Sequence, residues 1–174
     1  MKLPTEEEKV FDAVYRWLYR GRLLETELAS GDQDKLRTTL QMDGLWSLVA
    51  NLYIFADARG MPALSNAVID LLHQMMVAAN IYPCAQVDKL YTDTPEKSPM
   101  RRYLVDTWIN IPGDGYSENI AKLLVPINNV EFLKDVVKAS IGKPEDRVAW
   151  SKLNTCQYHD QALPAQPGTQ SSTT

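Results

Sequence analysis

Between residues 43 and 80 the apolar positions of the chain advance in steps of three and four, and the pattern breaks once, at Gly60-Met61-Pro62. Before the break the row reads Leu45, Leu48, Val49, Leu52, Phe55 and Ala56; after it, Leu64, Ala67, Val68, Leu71, Leu72, Met75 and Met76. Such steps put side chains on one face of an α-helix. Glycine suits a helix C-terminus, proline suits the first position of the next helix, and the residue before a proline is steered away from helical geometry. The break therefore predicts a joint between two helices. Helices joined this tightly are expected to form an antiparallel hairpin, with Leu48, Leu52, Phe55, Leu64, Val68, Leu71 and Leu72 buried.

The same spacing recurs on both sides of the hairpin. Residues 6–19 open with acids, which suit a helix N-terminus, and carry Val10, Phe11, Val14, Trp17 and Leu18 before Gly21 supplies a stop. Residues 22–42 are polar and read as a connector. Residues 83–91 form a shorter helical pattern with Val87 and Leu90 inward, ended by Thr92-Asp93-Thr94-Pro95. Ser98 and Pro99 then offer an N-cap and an N1 proline for a helix with Met100, Leu104, Val105, Trp108 and Ile109. Asn129 is placed to cap a last helix containing Val130, Leu133, Val136, Val137 and Ile141, with Gly142 as its stop. After Lys152 the periodicity decays. Residues 163–174 hold two prolines, a glycine and small polar residues, too little apolar area to offset their ordering entropy. The predicted fold is all-α, a helical bundle of about six to seven helices with a disordered C-terminal tail.

Charge narrows the function classes. Across 174 residues, 18 Lys and Arg face 22 Asp and Glu, a formal net charge of −4 that argues against general attraction to nucleic-acid phosphates. The clusters Arg101-Arg102 and Arg20-Gly21-Arg22 are too short for a nucleic-acid footprint. Glu6-Glu7-Glu8 stand where a signal peptide needs an apolar core, and no uncharged apolar run reaches a bilayer-spanning length. No membrane is expected, and the expected location is intracellular, cytoplasmic or nuclear. Two cysteines, Cys84 and Cys156, are too few for a disulfide framework and are expected as free thiols.

Catalytic patterns are lacking in the sequence. His73 and His159 lie in no recognisable nucleophile motif, and no glycine-rich phosphate loop occurs. His73, between Leu71-Leu72 and Met75-Met76, reads as an ordinary helix-flank histidine, and Cys84 as a small half-buried residue. Carboxylate pairs such as Glu25 with Glu27 and Asp32 with Asp34 read as solvated surface. The tryptophans, Trp17, Trp46, Trp108 and Trp150, read as core. Cys156-x-x-His159 is half of a tetrahedral zinc site, which leaves open a small zinc-dependent or nucleic-acid-binding module built on those two residues. The primary expectation is a module with no catalytic residues, cofactor or metal that works by binding another protein.

Four segments, taken in order, resemble fungal proteins that carry a BTB/POZ domain followed by a helical extension. They are Leu3-Pro4 with Val10-Phe11 and Trp17-Leu18-Tyr19-Arg20-Gly21; Leu52-Tyr53-Ile54-Phe55-Ala56-Asp57 with Pro62-Ala63-Leu64 and Asn66; Thr94-Pro95-Glu96-Lys97-Ser98-Pro99-Met100-Arg101-Arg102 with Val105-Asp106; and Cys156-Gln157-Tyr158-His159. Ala58-Arg59-Gly60-Met61 departs from the family's Lys-Tyr-x-Ile at the corresponding helix end. The resemblance implies the C-terminal part of a BTB-like domain over 3–80, a helical extension over 81–152 and a mostly disordered tail over 153–174. By the same resemblance the chain begins near the domain's last third, without the strands, the dimer face and the hydrophobic-x-Glu segment that engages cullin-type ubiquitin ligases. The first helix would then lack part of its usual covering. Phe11, Val14 and Trp17 are the expected partner-binding residues, joined by Tyr19, whose counterpart in the family often faces the cullin. The expected partner is a protein, through self-association or a cullin-type ubiquitin ligase, and the expected role is that of an adaptor or scaffold.

Overall fold

A computed structural model describes residues 5–23, 43–79, 82, 84–111, 127–141 and 148–160. Among the described residues the chain is all-helical, with no strand. The helices are α1 (Thr5–Arg20), α2 (Asp43–Ala58), α3 (Pro62–Ala79), α4 (Cys84–Asp93), α5 (Pro99–Ile109) and α6 (Val130–Ser140), followed by short 3-10 turns at Trp150–Lys152 and Thr155–Tyr158. The connector over 22–42, the Gly142 stop and the tail over 163–174 fall, apart from Arg22 and Leu23, outside the described residues.

The hairpin of α2 and α3 is the centre of the bundle. Gly60, at φ 60°, takes the left-handed conformation that ends α2. Its N–H donates to the carbonyl of Asp57, and the Met61 N–H donates to that of Ala56, the paired bonds of a Schellman stop. Leu52, Leu64, Val68, Leu71 and Leu72 are buried as expected, joined by Tyr53, Ala56, Met75 and Met76, while Leu48 and Phe55 are half-buried. Helix α1 packs on the outer side of α2, α4 on another side, and α5 and α6 complete the far end. The expected boundaries at 80 and 152 separate no cores: buried residues from Val10 to Tyr158 form one cluster.

Helix α5 starts at Ser98 with Pro99 at N1, as the spacing predicts, but the serine side chain makes no cap bond. The cap comes from α2. The buried Tyr53 hydroxyl accepts the Met100 N–H at 3.2 Å and hydrogen-bonds the Ser98 hydroxyl at 2.9 Å. Burial pushes the Tyr53 hydroxyl's pKa up, so it stays protonated and able to fill both roles. Helix α6 is capped locally, Asn129 accepting from the Phe132 N–H at 3.0 Å, and Asp88 of α4 accepts the N–H groups of Asn128 and Asn129.

Arg101 occupies the junction of α4, α5 and α6. Its side chain is buried, and the guanidinium donates to the carbonyls of Tyr91 and Thr94, to the Thr94 hydroxyl at 3.3 Å and to Glu131 at 2.9 Å, while lying 4.6 Å over the Tyr91 ring. The carbonyls left unpaired at the end of α4 thus gain a donor from the next helix. Around this centre, Tyr82, Trp108, Phe132 and Tyr91 form a run of edge-on ring contacts with centroids 4.9 to 5.8 Å apart.

Two sequence expectations need correction. The decay after Lys152 is not a loss of structure through 153–160. There the chain forms a strap across α3 and α5: Tyr158 is buried against the Tyr103 ring and donates to Asp106 at 2.9 Å, and Asn66 exchanges two hydrogen bonds with the Asp160 backbone. One buried tyrosine and side chains from other helices stabilise this strap, and neither has a helical period. The α6 stripe also does not face the core. Phe132 is its buried residue, with Val136 and Ala139 beside it, whereas Val130, Leu133, Val137 and Ile141 are exposed among the described residues.

Tyr53→Phe is expected to cost about 1 to 3 kcal/mol, because it strands a buried N–H and a buried hydroxyl. Ser98→Ala should cost less than about 1 kcal/mol, since the Tyr53 cap survives. Urea denaturation of the two variants checks the order, which reverses if Ser98 itself provides the cap.

Candidate interaction surface

Helix α1 has two apolar faces. Val10, Ala13, Val14 and Trp17, at i, i+3, i+4 and i+7, pack on α2; the first three are buried and Trp17 is half-buried. The helix ends at Gly21, φ 66°, whose N–H donates to the carbonyl of Trp17. Phe11, Tyr15, Leu18 and Tyr19, at i, i+4, i+7 and i+8, form a second row turned away from the core and are 41%, 61%, 59% and 72% exposed. Phe11 rests its ring edge on Phe55 at 5.3 Å, and Arg59 covers Phe55 at 4.8 Å. Tyr15 and Tyr19 lie ring on ring at 4.4 Å. An ion pair between Asp12 and Arg16 runs beside the row.

The structure therefore divides the four expected partner-binding residues. Phe11 and Tyr19 lie on the outer row, Trp17 sits at the margin of the core, and Val14 is inside it with no surface to offer. This corrects the assignment of Val14: the first helix is covered on its inner side by α2, so its inward stripe has a home. Tyr15 and Leu18 were missed as surface residues. Their signal lay in the sequence, because steps of four, three and one from Phe11 trace a face distinct from that of Val10, Ala13 and Val14.

The two imidazoles are engaged within the fold. His73 Nδ1 is 3.1 Å from the Tyr103 hydroxyl, which also lies 3.4 Å from the Met76 sulfur; burial lowers the imidazole's pKa. His159 Nε2 is 2.9 Å from Asp70, an ion pair when the imidazole is charged, and it fastens the strap to α3. Cys156 is exposed on the same turn. Among the described residues no three His, Cys, Asp or Glu side chains group as a metal site would require, and neither imidazole hydrogen-bonds a serine hydroxyl or a cysteine thiol. The cleft between α5 and α6 opens over Arg101 and Arg102, but the Arg101 donors in it serve the chain's own carbonyls and Glu131. No helix of the described residues is long and apolar enough to cross a membrane.

No protein-family model, curated protein or solved structure matches the chain.

Tyr15→Ser and Leu18→Ser are expected to leave stability within about 0.5 kcal/mol of the parent, as substitutions outside a core do. Val14→Ser should lose about 1.5 to 3 kcal/mol through the loss of a buried side chain. Comparable losses at all three sites in thermal and urea unfolding would mean that the outer row is covered.

The two thiols should also differ. Burial pushes the Cys84 thiol up to about 11, whereas Cys156 is exposed. At about pH 8 an aromatic disulfide reagent should label Cys156 at once and Cys84 only after unfolding, because the thiolate is the reacting form.

Proposed function

We propose that the chain is a non-catalytic protein–protein interaction module of the BTB/POZ type, an adaptor or scaffold piece that binds through the outer face of α1. The observation that carries this reading is the row of Phe11, Tyr15, Leu18 and Tyr19, four large side chains exposed together on a helix whose other side is sealed into the core. Contiguous exposed apolar rows on a folded chain mark contact surfaces, and three of these four residues are aromatic, the type enriched at the centres of protein interfaces.

Support for the BTB/POZ part comes from the work its resemblance motifs do. The Leu52-to-Asp57 motif contains the Tyr53 that caps α5. The motif running from Thr94 to Arg102 contains the buried arginine and both of its Thr94 acceptors, and Cys156-Gln157-Tyr158-His159 is the strap. Residues under such constraints are the ones a shared fold would retain. The negative charge and the engaged histidines favour a protein partner over a nucleic acid or a reaction.

The test compares the full chain with its Tyr15→Ser/Leu18→Ser variant in cross-linking of extracts, read by quantitative mass spectrometry. Cross-links to α1 should fall about tenfold or more in the variant while its unfolding midpoint is unchanged. Equal cross-linking by both proteins overturns the assignment of the surface.

A further inference from the structure

Helices α3 and α5 hold the strap through four contacts, which read three consecutive residues. The Tyr103 ring meets the buried Tyr158 ring edge-on at 5.3 Å, and Asp106 accepts the Tyr158 hydroxyl at 2.9 Å. Asp70 lies 2.9 Å from the next residue, His159. Asn66 then donates to the Asp160 carbonyl at 3.2 Å and accepts the Asp160 N–H at 2.9 Å, a pairing that reads backbone and is indifferent to the side chain. Among the described residues no main-chain to main-chain bond joins 153–160 to the two helices, and Tyr158 is the one buried residue of that stretch. One buried aromatic anchor, with polar groups fixing the chain around it, is how folded domains hold a short segment of another protein. The interior main chain of α3 and α5 is paired within each helix, so the departure of 153–160 strands none of it.

The strap also fits its site imperfectly. Asp70 faces a histidine, an ion-pair partner only when the ring is charged, where Arg or Lys would hold a permanent charge. Asp160 brings a carboxylate toward Asp57 of α2: burial first, and the Asp160 charge second, raise the Asp57 pKa. The side chains around the strap's end are thus acidic, at Asp57, Asp70 and Asp106, and the strap adds one acid more.

We infer that the α3–α5 face is a docking site for a short segment of another protein, a tyrosine followed by Arg or Lys and then by a residue that is not acidic, and that Tyr158-His159-Asp160 closes the site as an internal, weaker ligand. The site lies apart from the outer row of α1 and gives the module a second contact. Tyrosine is required because Tyr103 supplies the ring contact and Asp106 the acceptor for its hydroxyl. A permanent cation at the next position satisfies Asp70, and loss of the Asp160 charge relieves Asp57. Asn66 accepts any backbone at the third position. A segment with so few buried contacts opens without global unfolding, and an outside ligand binds with its affinity scaled by the fraction of open chains. The two mismatches therefore set how readily the strap yields.

Two synthetic peptides test the site: one spans residues 150–160 with Cys156→Ser, and the other carries His159→Arg and Asp160→Asn as well. Fluorescence anisotropy follows their binding to the full chain with Tyr158→Ala, which empties the anchor position. That chain should bind the first peptide, and the second about tenfold or more tightly; Asp70→Asn in the chain should remove most of the difference. The parent, closed by its own strap, should bind the second peptide more weakly than the Tyr158→Ala chain does. Hydrogen exchange reads the same competition without a destabilising change. His159→Arg/Asp160→Asn placed in the chain itself should slow exchange over 153–160 about tenfold, and saturating second peptide should speed it in the parent while α3 and α5 stay protected. A folded Tyr158→Ala chain that binds neither peptide overturns the inference, as do equal affinities for the two peptides. Unchanged exchange over 153–160 in the His159→Arg/Asp160→Asn chain overturns it too, and decides alone if Tyr158→Ala unfolds the protein. None of these readouts involves the outer row of α1, so the reading of that row stands or falls separately.

Discussion

The far half of the bundle depends on one buried guanidinium. Arg101 comes from α5, yet its acceptors are the carbonyls of Tyr91 and Thr94 at the end of α4, the Thr94 hydroxyl, and Glu131 in the first turn of α6. A cation taken out of water is tolerable only with such a set of partners. The arrangement also explains the chain's geometry around Thr94-Pro95: α4 has to stop where its last carbonyls can reach a side chain from the next helix. Glu131 is mostly exposed, so its ion pair adds little, and the carbonyl bonds account for most of what Arg101 contributes. Tyr53 does comparable work at the opposite end of the junction, where α2 provides the acceptor that begins α5. In both cases a helix end is completed by a side chain from another helix, which ties the hairpin, α4, α5 and α6 into one core.

How much of this the sequence conveyed depended on whether an interaction is periodic. The hairpin was legible, because Leu52, Leu64, Val68 and Leu72 repeat at helical spacing and Gly60 and Pro62 have specific local roles. The local cap at Asn129 was legible for the same reason. The cap at Ser98 was misread because its chemistry was right and its geometry was not: the hydroxyl that would accept the helix N–H lies instead beside Tyr53. Arg101-Arg102 was read only as a basic cluster too short for a nucleic-acid footprint, since nothing in one dimension shows that the carbonyls of Tyr91 and Thr94 converge on Arg101.

The surface was half legible. Phe11 and Tyr19 were singled out and lie on the outer row, while Val14 was placed with them because the apolar residues of α1 were read as one stripe. A helix this rich in apolar residues needs two faces to hold them, and only the partner helix decides which is inside. Helix α6 shows the same ambiguity: its most regular apolar row is exposed, and the burial falls on Phe132, whose ring meets Tyr91 and Trp108.

The strap over 153–160 orders events in time as well as in space. Its fastenings join residues far apart along the chain: Asn66 to Asp160 and Asp70 to His159, 94 and 89 positions apart. At about 5 to 20 residues per second, a ribosome adds those 89 residues in roughly 4 to 18 s. From the completion of α3 until the strap is made, Asn66 and Asp70, and the Tyr103 ring once it has been added, lack the groups that close over them. The growing chain thus passes through a state in which the hairpin can assemble and one side of it stays uncovered, the period when a nascent protein most needs a chaperone.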